Sequence, residues 1–115
     1  MTEYIKKLKS LGCDVEGALE RCGDDEEFYE NCVSSLLFDE QFSMLHEGLL
    51  KGDLREAFEA AHSLKGVFAN FGITPLLDIV SLVVEPLRKG EIHPGLIDIY
   101  EELISQRDII AEELN

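Results

Sequence analysis

His62, Lys65 and Gly66 lie close together inside the stretch DLREAFEAAHSLKGVFANFG, residues 53–72. A neutral imidazole nitrogen is a competent nucleophile near pH 7 and can carry a transferred group. A lysine three residues later falls on the same face of a helix, where its ammonium can offset negative charge arriving at the imidazole. Gly66 costs a helix interior about 1 kcal/mol against alanine. One reason to keep it is close packing beside a surface histidine. The other is that Gly66 and Ala69 clear space for a second protein to reach His62. Taken together, these residue types and spacings describe a phosphoryl-accepting histidine.

One helix must hold this set. Asp53 is a good N-cap, and Glu56 three residues on completes a capping-box pattern. Gly72 is a stop signal. No proline interrupts, and Ala, Leu, Glu, Arg and Lys supply helix propensity. At about 100° per residue, Leu54, Ala57, Ala61, Leu64, Phe68 and Phe71 share one arc, with Phe58 at its edge. His62, Lys65, Gly66 and Ala69 fall on the other side, with Arg55 and Glu59 nearby. The expectation is an exposed His62 over a buried Leu64 and Phe68. Glu59, at i−3, either accepts a hydrogen bond from Nδ1 and holds the imidazole tautomer or is a solvated glutamate. Arg55 and Arg88 are candidates for contact with phosphate or a partner. Phe58 is either a docking residue or part of the core.

The remaining elements are also helical. Tyr4, Ile5, Leu8 and Leu11 recur at helical spacing behind a Thr2 cap, with Gly12 as stop. Asp14 caps a short helix from Val15 to about Cys22. Asp24 is expected to cap the next, and Asp25, Glu26 and Glu27 suit its positive end. From Phe28 to Lys51 the rhythm fits one long helix or two abutting pieces, with a kink near Phe38-Asp39. The short Lys51-Gly52 turn implies an antiparallel neighbour. Thr74 as N-cap and Pro75 at N1 open a helix that is apolar nearly all round, and such helices are usually buried. Its β-branched run from Val80 to Val84 admits a strand as rival, and Pro86 should kink or end it. His93-Pro94 opens a last helix running to about Leu114. The fold class is all-α: an antiparallel four-helix bundle (residues 24–114) with short additional N-terminal helices (residues 1–23), in one domain over 1–115.

His62-Ser63-Leu64-Lys65-Gly66, followed by Asn70-Phe71-Gly72, resembles the H-x-L-K-G-x(5)-G signature of histidine-containing phosphotransfer (HPt) domains. Ala61 also fits, as do Gly12 to Leu19, Gly23-Asp24, Phe28-Tyr29 and the Lys51-Gly52-Asp53 lead-in. The resemblance implies a phosphorelay intermediate. His62 would take a phosphoryl group through Nε2 from a receiver-domain aspartate and pass it to another receiver. Lys65 would stabilise phosphoryl charge, and Gly66 would give steric access. The partners implied are response-regulator receiver domains or a hybrid histidine kinase, with Mg²⁺ on the receiver and no cofactor on this chain. Many family members carry a glutamate late in the next helix; Val84 takes that place here, with Glu85 adjacent. No Walker A motif or kinase ATP signature is present, so a phosphocarrier rather than a turnover enzyme is expected. The alternative is a helical module that binds a receiver or kinase without exchanging phosphate. The chain is either free-standing, which Met1 directly before a helix favours, or a piece of a larger kinase.

Composition excludes other classes. The net charge of −14 argues against nucleic-acid and anionic-membrane binding, which need basic surfaces. No apolar run approaches the roughly 20 residues that span a bilayer. The polar start, MTEYIKKLKS, lacks a signal-peptide core. Cys13, Cys22 and Cys32 form no CxxC pair and read as reduced thiols of a cytoplasmic protein. Glu59 and His62 make one E-x-x-H, but di-iron bundles use the unit in pairs and no second exists. His46 and His93 read as surface or helix-end residues. An exposed active face needs only a monomer.

Overall fold

A computed structural model describes residues 1–115 as seven helices: α1 (Glu3–Ser10), α2 (Val15–Arg21), α3 (Glu26–Leu36), α4 (Gln41–Lys51), α5 (Leu54–Phe71), α6 (Thr74–Arg88) and α7 (Gly95–Leu114). Side-chain acceptors start four of them. Thr2, Asp14, Asp25 and Asp53 each take the backbone N–H three residues on, satisfying one of the donors that a helix start leaves free. The third cap is Asp25, not the expected Asp24. Asp24 instead takes a left-handed conformation (φ 61°) in the preceding turn, and its N–H bonds Leu19 O.

The stretch from residue 26 to 51 resolves into two helices. Leu37–Glu40 breaks them, and α7 braces the corner. Arg107 Nη1 donates to Leu37 O at 3.1 Å, and its guanidinium lies over the rings of Phe38 (5.2 Å) and Phe42 (4.9 Å). Asp39 accepts from the Gln41 N–H at 2.8 Å and so helps start α4. Helix α3 is therefore not the first half of a bundle helix.

The bundle proper is α4–α7. Helix α4 packs along α5, α5 along α6, α6 along α7, and α7 returns to α4. Gly48 permits the first of these approaches: a Cβ there would lie 2.6 Å from Ala57 N. Helices α1, α2 and α3 pack across the end of the bundle where α5 finishes, burying Ile5, Leu8, Val15, Ala18, Leu19, Tyr29 and Val33. The core is apolar throughout and contains no buried charged or polar side chain.

Helix α6 departs from expectation in three ways. It begins one residue early: Ile73 occupies the N-cap position, Thr74 is already helical, and the Thr74 hydroxyl reaches Gly72 O at 3.4 Å. The cause is the tight turn out of α5, which sets Ile73 O to accept from both Leu76 and Leu77. Of the kink or end expected at Pro86, the end does not occur, and the helix runs on to Arg88. Finally, it is not buried all round. Leu82 is 60% exposed, because α5 and α7 cover only the face of Leu76, Val80, Val83, Val84 and Leu87. The β-branched run is helical; burial of Val80, Val83 and Val84 on one face outweighs its strand propensity. His46 is more than a surface residue: half-buried, it stacks on Tyr100 at 4.8 Å and 7°. No helix is long and apolar enough to cross a membrane.

Candidate functional site

Helix α5 is fixed at both ends. At its start Asp53 accepts from the Glu56 N–H at 3.1 Å. The reciprocal half of a capping box does not form, because the Asp53 N–H is already bonded to Gly48 O at 2.9 Å in the turn that closes α4. At its end Gly72 adopts φ 68°, and the Ile73 N–H returns to Phe68 O at 2.9 Å. The last carbonyls are then taken up by the N-terminal layer. Arg21 donates from Nε to Asn70 O (2.8 Å) and from Nη2 to Ala69 O (3.0 Å). Tyr29 donates to Phe71 O (2.9 Å), and the Asp14 N–H to Gly72 O (2.8 Å). These groups hold the carbonyls that a helix end leaves unpaired. Nothing local in the sequence signalled Arg21 or Tyr29, since their acceptors lie far along the chain.

Rotation about the α5 axis follows from what is buried. Leu64 is 1% and Phe68 0% exposed, Ala57, Ala60 and Ala61 are buried, and His62 is exposed on the opposite side. Leu54 and Phe71, placed on the buried arc by periodicity, are only half-buried, and Ala60 belongs to the core although it was not counted there. Phe58 is half-buried, and its ring stacks against the His62 imidazole at 5.5 Å between centroids and 16° between planes. The Arg88 guanidinium lies 5.6 Å from the Phe58 centroid, so α6 adds a third layer.

Each cation of this face leans on a carboxylate. Lys65 Nζ is 3.5 Å from Glu85 Oε1, and Arg88 Nε is 3.8 Å from the same oxygen. Arg55 Nε is 3.1 Å from Glu59 Oε1. Glu59 therefore engages Arg55 and makes no hydrogen bond to His62. Val84 is buried, whereas Glu85 next to it faces Lys65. The sequence offered no sign of that pairing, because it crosses between helices.

Gly66 and Ala69 are exposed, and a Cβ built on Gly66 meets nothing within 4 Å. The glycine has no packing partner in this chain. The flanks of His62 differ in character. Toward α6, Leu54, Phe58 and Leu87 with Arg55 and Arg88 line an apolar, basic-rimmed hollow of about 220 Å³. Toward α4, a groove of about 340 Å³ carries Asp53, Glu56 and Glu59 against a single cation, Arg55, which borders both hollows. An anion is better received on the α6 side, where Lys65 and Arg88 stand. No three His, Cys, Asp or Glu side chains gather as metal ligands.

The family model of the Hpt domain matches residues 37–108, well over half of the chain. This chain belongs to the Hpt domain family. Neither a curated protein nor a solved structure matches it. The matched region of this Hpt domain runs from the corner before α4 into α7, and so contains the whole His62 face; α1–α3 lie outside it. Membership brings histidine phosphotransfer in two-component phosphorelay signalling, in which Hpt domains interact with receiver domains and histidine kinases.

Proposed function

We propose that this Hpt domain accepts a phosphoryl group on His62 from the aspartyl phosphate of one receiver domain and delivers it to the aspartate of another. The Nε2 lone pair forms the N–P bond as the P–O bond to the donor aspartate breaks. The electron pair leaves on the regenerated carboxylate, and the Nδ1 proton passes to solvent. Phosphoryl transfer asks the acceptor mainly for in-line positioning and charge neutralisation. Lys65 and, on the α6 side, Arg88 supply the charge, while Mg²⁺ belongs to the receiver.

Gly66 carries this reading. A helix-interior glycine that weakens the helix and packs against nothing, one turn from an exposed histidine, is explained by a partner's close approach. Phe58 and the adjoining hollow offer apolar contact area, with Arg55 at its rim, and Ala69 keeps the next turn low. The three cysteines are free thiols, which suits the reducing cytoplasm, and one copy of the chain presents the complete face.

The test is transfer from a panel of receiver domains charged with a small phosphodonor and Mg²⁺. Acid-labile, base-stable label on the wild type and none on His62→Gln is the expected result. Receivers that bind the folded protein but never label it would overturn phosphotransfer and leave a binding module.

A further inference from the structure

Arg55, Lys65 and Arg88 are the cations of the His62 face, and each is paired with a carboxylate. Two of them, Lys65 and Arg88, converge on one oxygen of Glu85 at 3.5 and 3.8 Å. Glu85 is half exposed at its side chain, and its ion pairs are with Lys65 and Arg88. It is thus a fixed negative charge at the place where a phosphoryl group on His62 would seek its counter-ions. Carboxylate and phosphoryl cannot both hold the same ammonium at full strength, and the two anions repel each other.

We propose that Glu85 is a built-in competitor for Lys65 and Arg88 that keeps the phosphorylated state of His62 easy to discharge. Before transfer it holds both cations in place beside the Phe58–His62 stack. On phosphorylation Lys65 turns toward the new phosphoryl oxygens, and Glu85 is left with Arg88. The cost of that exchange, together with repulsion, lowers the stability of phospho-His62 and favours onward delivery. Glu85 is a positioning residue in this scheme and touches no reacting atom. The inference rests on His62 being the phosphoacceptor.

The test is the phosphotransfer equilibrium between one charged receiver and this protein, comparing wild type with Glu85→Gln. Removing the competitor is expected to shift the equilibrium about two- to fivefold toward phospho-His62, the worth of one exposed ion pair. The shift should shrink in 1 M salt, where exposed charges are screened. It should shrink when Lys65→Gln is present in both arms, because only the Arg88 pair and the direct repulsion then remain. Phosphorylation of isolated protein by phosphoramidate, followed by ³¹P NMR during decay, supplies an independent readout: phospho-His62 in Glu85→Gln should decay more slowly. An unchanged equilibrium, or one displaced toward the receiver, would overturn the competitor role and, in the second case, make Glu85 a supporting partner of Lys65. Wild type that takes no label from either donor would instead remove the phosphoacceptor reading itself.

Discussion

At the scale of single residues, Gly66 separates folding from function. Its position is open and helical, so an added methyl group meets nothing and gains helix propensity. Gly66→Ala should raise the unfolding free energy by about 0.5–1 kcal/mol in urea titration. Gly66→Gln should fold as well as the wild type yet slow transfer from a receiver, since its side chain occupies the approach to His62. A destabilised Gly66→Ala would mean that the glycine serves packing after all. Gly72 is the contrasting case. Its φ of 68° and a Cβ position 2.2 Å from Asp14 O leave no room for a side chain.

At the scale of elements, the decisive feature is how α5 ends. A helix that presents one face to solvent needs both termini held if its rotation is to stay fixed. The Asp53 cap does this at one end, and Arg21, Tyr29 and Asp14 do it at the other. Arg21→Ala loses two hydrogen bonds from a cation to helix carbonyls. It should cost about 1–2 kcal/mol in denaturant unfolding and raise amide exchange in the last turn of α5. Lys at position 21 should recover only part of this, because one ammonium cannot reproduce the two-pronged guanidinium contact. A null effect on both stability and exchange would show the clamp to be incidental.

Across the whole molecule, α1–α3 and the bundle end depend on groups that must stay neutral. Burial pushes the Cys13 thiol from its ordinary 9.0 up to about 11, and burial raises the Tyr29 hydroxyl as well. Both acids release protons more readily in the unfolded chain. Above pH 9 the unfolded state therefore binds fewer protons than the native one, and stability must fall as pH rises. Cys13 contributes its full share below pH 9 and loses it between about 9 and 11, at up to about 1.4 kcal/mol per pH unit. The urea midpoint should drop across that window, with protection lost first in α1–α3. Cys13→Val should flatten the drop; an unchanged profile in that variant would remove Cys13 as its source.

Much of this architecture was legible beforehand because its causes are local. Asp53, Gly72 and the spacing of Leu64 and Phe68 act within a turn or two, so they announced α5, its bounds and the exposure of His62. Where two local signals competed, neighbours decided between them. Asp24 read as the cap of α3, but the turn after α2 placed Asp25 there instead. Thr74 read as a cap, but the tight turn at Gly72 started the helix at once. Leu82 read as core until the arrangement of α5 and α7 left it uncovered. The amino-acid order by itself determined a run of amphipathic or capped helical segments and one chemically distinctive face, because propensity, capping and periodicity are written in neighbouring residues. Only tertiary packing decided that Lys65 and Arg88 share Glu85, that Phe58 stacks on His62 and that Arg21 holds the end of α5. Apart from the Phe58–His62 stack and the Arg88–Glu85 pair, whose orientation α6 helps set, these contacts join groups distant in the chain, and close-packing of the bundle alone brings them within reach.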